Sequence, residues 1–111
     1  MNELQTARAT EWAKFPGVTV AEVPGLGPVL VERNPSRTTK GEFSGATVSV
    51  LDAQGARGWM TVRLTAGWGR DASPNVSTSG TNLTPADAMA YGMLLVYAVQ
   101  AIIPTLTPSA D

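Results

Sequence analysis

Residues 82–104 read NLTPADAMAYGMLLVYAVQAIIP. Thr84 has the side chain of a helix N-cap, Pro85 suits the first helical position, and Asp87 falls where a carboxylate favours the positive end of the helix dipole. Pro104 cannot continue a helix, so the run stops there. The stretch predicts a helix, but one with no wet side: no Lys, Arg, Asp or Glu stands between positions 88 and 110. At about 100° per residue, Ala88, Gly92, Leu95, Val99, Ile102 and Ile103 share a face of small and branched side chains suited to a sheet. Ala90, Met93, Tyr97, Gln100 and Ala101 lie opposite, and that second face is scarcely polar.

A helix on the surface of a monomer normally carries charge on its outer side. Either another part of the chain covers the second face, or the face meets a copy of itself across a two-fold axis. Closed two-fold dimers are the commonest oligomers, and Met and Tyr suit an interface core. A short N-terminal helix offers little cover. The expectation is therefore a homodimer with Ala90, Met93, Tyr97, Gln100 and Ala101 at its seam.

Upstream of this helix the pattern changes from helical to alternating. Residues 3–15 predict a short helix with Leu4, Ala7, Trp12 and Phe15 along one stripe, ended by Pro16 and Gly17. Residues 18–23 and 28–33 read as strands joined by the Gly-rich turn 24–27. Residues 42–51 and 58–66 read as two more, joined by the Asp52–Gly55 turn. In the last of them Met60, Val62, Leu64 and Ala66 point one way, and Trp59, Thr61, Arg63 and Thr65 the other. Residues 67–82 read as a long loop, which in a compact domain is functional or mobile. The tail 105–111 is expected to fray. The order predicts one α+β domain over 1–104: an N-terminal helix, a four-stranded antiparallel meander, and a C-terminal helix packed on one sheet face in two layers.

Composition narrows the chemistry. The 111 residues include no Cys and no His. Disulfides, thiolate catalysis and Cys-based metal sites are excluded, and the commonest general base and transition-metal ligand are missing. No pair of acidic residues has a telling spacing. No enzyme activity, no catalytic residue, no cofactor and no metal are expected. Net charge is −1, so no global positive field draws in phosphates, and nucleic acid is an unfavoured partner. The apolar run 88–103 is shorter than the roughly 20 residues that cross a bilayer, and the N-terminus lacks a signal-peptide pattern. No membrane association and a cytoplasmic location are expected.

The segment PGLGPV at 24–29 departs from the dinucleotide fingerprint and precedes a strand, so it reads as a hairpin turn. Arg33, Arg37 and Lys40 make a basic loop that is either solvated or a phosphate contact. Trp59 and Arg63 on the outward strand face are either a binding surface or are covered by the N-terminal helix. Trp68 and Arg70, with Gly67 and Gly69 beside them, are either a ligand-binding lip or a loop anchor. Trp59, Arg63, Trp68 and Arg70 are the candidate partner site.

The segment LTPADAMAYGMLL, from Leu83, resembles the helix opening L-T-P-x-x-A-x-x-x-A-x-x-L of many small proteins of actinobacteria and their phages, most without assigned function. The resemblance spans residues 83–101 and departs where Gly92 replaces Ala and where polar residues fail to follow. It implies an accessory protein and no particular activity. The expectation is a small protein-binding module, for example a phage-encoded inhibitor or adaptor of a host protein. A virion or other structural assembly component and a weak nucleic-acid binder are the alternatives.

Overall fold

The computed structural model describes residues 1–36 and 41–109. The elements run α1 (Glu3–Trp12), β1 (Val18–Val23), β2 (Gly27–Pro35), β3 (Phe43–Leu51), β4 (Arg57–Thr65), β5 (Asn75–Thr78) and α2 (Pro85–Tyr97). The strands form one antiparallel sheet in the order β1-β2-β3-β4-β5. The protein is α+β, and the meander is as expected, with one strand more. β5 lies inside the expected loop. It is short, polar and exposed along its length, so it carries no buried alternation that would reveal it.

Residues opposite one another in an antiparallel pair share a face, so the register sorts the side chains. Val31, Val48 and Val62 align in one row, and Ala46 aligns with Leu64 in the next. These residues, with Val29, Met60 and Ala66, are buried under α2. The alternation expected along β4 is present.

The helix meets this face through Tyr91, Leu94, Ala98 and Ile102. That stripe is rotated by roughly a quarter turn from the expected one, one residue step being about 100°. Ala88 and Val99, expected against the sheet, are exposed. Tyr91 explains the rotation. Its hydroxyl donates to the Thr61 carbonyl and accepts from the Ser79 backbone N–H at 3.0 Å. Thr61 lies just past the last β4–β5 pair, Val62 with Thr78, so the phenol caps β4 where its neighbour ends. An apolar helix could dock in several rotations, and one long polar side chain with one place to reach selects among them. Replacing Tyr91 by Phe leaves the Thr61 carbonyl without this donor. We expect a loss of about 1–3 kcal/mol in urea unfolding.

Thr84 caps α2 as expected, accepting from the Asp87 N–H at 3.1 Å. The helix then widens into a π-helical turn, Ala98–Ile102, and tightens into a 3-10 turn, Ile103–Thr105. Pro104 accounts for the change, because it has no N–H to give and its ring crowds the preceding turn. The helical run Pro85–Thr105 is 21 residues, long and apolar enough by length and composition to cross a membrane. Its Tyr91–Leu94–Ala98–Ile102 stripe is nonetheless engaged with the sheet.

The tail does not fray over 105–109. The Thr107 N–H donates to the Phe43 carbonyl at 2.8 Å, and Ser109 exchanges bonds with Gly67 and Gly69 at 3.0 and 2.7 Å. Leu106 and Ser109 are buried. Paired backbone groups and an anchoring Leu hold this segment, despite Pro104 before it and Pro108 within it, which read as breakers.

α1 attaches differently from the expected apolar stripe. Leu4 and Phe15 are more than half exposed, and Gln5, Ala9 and Trp12 face inward. Asn2 and Gln5 form a reciprocal capping box and also bond the Ala53 and Asp52 carbonyls of the β3–β4 turn, while the Trp12 indole N–H donates to the Gly55 carbonyl at 3.1 Å. These polar bonds fasten the helix to the β3–β4 turn.

Candidate functional site

Two surfaces stand out, on opposite faces of the sheet. The first is on the face away from α2. The register aligns Glu32, Thr47, Arg63 and Ser77 across four strands. Asn34 follows two residues along β2, and Arg57, Trp59 and Thr61 precede Arg63 on β4. Together with Ser79 they line an open groove of about 580 Å³.

One pair of opposite charges in this groove is joined. Arg57 grips Glu32 bidentately, Nε to Oε1 at 2.8 Å and Nη2 to Oε2 at 2.6 Å. The guanidinium carbon also stands 6.0 Å from the centre of the Trp12 ring, which ties α1 to this corner. Trp59 is 59 % exposed, yet its ring is braced edge-on by Tyr91, with centroids 6.3 Å apart. The side chain at the α1 junction is therefore Trp12, and Trp59 stays open. Arg63 is exposed and makes no ion pair or hydrogen bond among the described residues.

The groove unites Trp59 and Arg63, as expected, but not all four candidate residues. Trp68 and Arg70 do not line it. Trp68 bridges Ser109 through its backbone, flanked by Gly67 and Gly69 at φ of 91° and 72°. Left-handed backbone on both sides lets the tight turn form, and the tail fills it. Of the basic loop, Arg37 and Lys40 lie outside the described residues. Arg33 aligns with Ala46 and so belongs to the α2 face, where it donates to the Thr19 hydroxyl at 3.3 Å. Arg33 and Arg63 therefore do not share the surface that a nucleic-acid reading needed.

The second surface is the outer side of α2. Met89, Met93 and Val96 are 72 %, 37 % and 55 % exposed, and Gln100 continues the row. With Val23 and Pro24 they line a shallow apolar depression of about 610 Å³. The turn between β1 and β2 is close alongside: a Cβ placed on Gly25 would come within 3.3 Å of the Met93 sulfur. Of the expected seam, Met93, Gln100 and Ala101 are exposed. Ala90 and Tyr97 pack partly against the core, because the helix is rotated toward Tyr91.

No family model, curated protein or solved structure matches this chain. Among the described residues no cluster of three or more acidic side chains could hold a metal ion. Glu32, the one carboxylate in the sheet-face groove, is already committed to Arg57.

Proposed function

We propose that this protein is a non-catalytic binding module that acts as a homodimer, with the outer side of α2 as its seam and the opposite sheet face turned outward to a partner. The carrying observation is the apolar row of Met89, Met93 and Val96, continued by Gln100 and widened by Val23 and Pro24. The spacing of four, three and four residues sets these side chains in a single line, as knobs for the holes of a facing helix. A second copy is the favoured occupant because the face has no charge. A different partner is usually selected by complementary charges, and this surface offers none to read. Two identical uncharged faces repel neither each other nor a two-fold axis.

The chain contains no Cys, so one introduced thiol reports on the seam without background. Val96→Cys is expected to form a covalent dimer under mild oxidation. Glu11→Cys, exposed on α1, is expected to remain a monomer under denaturing, non-reducing conditions. Equal, slow cross-linking of both variants would mean random collision and would remove α2 as the seam.

A further inference from the structure

The sheet-face groove has a chemistry of its own. It combines an indole in edge contact with Tyr91, a bidentate pair of opposite charges, a row of hydroxyls and one cation that has no partner among the described residues. Each part restricts what can bind.

Over β2, β3 and β4 the floor is a sheet interior, where the ladder consumes the backbone groups, and β5 forms its margin as an edge strand. An extended peptide lying across β2, β3 and β4 would find no main-chain partners of the kind that a free sheet edge gives. What the floor does present is Thr47, Ser77 and Asn34, groups that donate and accept alike. A ligand dense in hydroxyls matches them, because every hydroxyl also does both. The Arg57–Glu32 pair extends the match. Arg57 uses Nε and Nη2 on Glu32, which leaves Nη1 as a donor, and the carboxylate keeps lone pairs to accept. The exposed area of Trp59 supplies a flat apolar platform beside these polar groups.

Charge then narrows the class. Glu32 and Arg57 cancel, and Arg63 is left over, so the lining has a net charge of +1 (two Arg, one Glu). A nucleic-acid strand carries a phosphate at every step and is met by repeated cations. One Arg in the lining without a partner among the described residues, on a protein of net charge −1, is a poor match to that. One carboxylate, placed beside a ring that stacks and hydroxyls that bond, is a good one.

We propose that the groove binds a saccharide bearing a carboxylate, of the uronic-acid class. Its sugar ring stacks on Trp59, its carboxylate pairs with Arg63, and its hydroxyls bond Thr47, Asn34 and the Arg57–Glu32 pair. The inference rests on the reading of the protein as a binding module, and not on the α2 seam. A monomer that bound sugar would leave it standing, and a dimer that bound none would end it.

The test is calorimetric titration of the full chain with two acidic probes: a tetrasaccharide alternating glucuronic acid with N-acetylglucosamine, and tetragalacturonic acid. Their carboxyl-reduced, neutral counterparts, a Gly-Glu-Gly-Glu peptide and an eight-residue oligothymidylate complete the set. Saturable binding of at least one acidic saccharide is expected. Trp59→Ala should weaken it about tenfold or more. Arg63→Gln should weaken the acidic saccharide by about tenfold and leave its neutral counterpart within about twofold. Both side chains are exposed, and an unchanged melting curve shows that the variants keep the fold. The proposal is overturned if neither acidic saccharide binds. It is equally overturned if Trp59→Ala binds as wild type does, or if the peptide or the oligonucleotide binds more tightly than the sugars.

Discussion

Leu94→Ala should lower the unfolding free energy by about 2–5 kcal/mol, the range for emptying a buried Leu site. Leu94 is fully buried at the middle of the α2 stripe, between Tyr91 and Ala98, against the valines of β2, β3 and β4. The cost falls toward the upper end if the helix cannot settle into the space. Tyr91 is bonded to Thr61 and Ser79 on one side of that position, and the tail is tied to Phe43 and Gly67 beyond the other, so little settling is available. Leu4→Ala is the control. Leu4 is 61 % exposed, and its removal should stay within about 0.5 kcal/mol. Urea unfolding at one fixed protein concentration compares the two, since self-association would add to the apparent stability.

Met93→Glu has the opposite signature: little effect on the fold and a large one on association. Met93 sits mid-row on the outer side of α2, 37 % exposed, so a carboxylate there can reach water in the isolated chain. In a two-fold seam it would bring two negative charges together in an apolar interface, each without a partner. Desolvation and like-charge repulsion both oppose this. We expect the dimer dissociation constant to rise by about 100-fold or more, roughly 2.7 kcal/mol. Sedimentation equilibrium of wild type and variant, together with thermal unfolding, separates lost association from lost fold.

The elements differ in how plainly their residues announce them. β4 is legible because one of its faces is buried and the other is not, which forces the period of two from Trp59 to Ala66. The ends of α2 are legible from Thr84, Pro85 and Pro104. Its rotation is not, because it is apolar all round and a helical wheel finds no polar side to turn outward. Tyr91 decides the rotation, through a partner thirty residues away that no local pattern reveals. α1 misleads for the reverse reason. Leu4 and Phe15 look like anchors, whereas polar bonds from Asn2, Gln5 and Trp12 hold the helix.

The groove is legible only in part. Alternation along β4 places Trp59 and Arg63 on one face. That Glu32 joins them depends on the register of three strands, and a register is a property of the assembled sheet. Trp68 and Arg70 look like their companions in sequence, and the β4–β5 connection carries them elsewhere.

The most direct test of the central claim is the absolute mass of the wild-type chain in solution, by light scattering after size exclusion over a wide concentration range. A mass of twice 11.6 kDa that persists on dilution until the dimer dissociates is expected. A mass of 11.6 kDa at every concentration would contradict it. The apolar row on α2 would then be a surface that the protein does not use to meet itself.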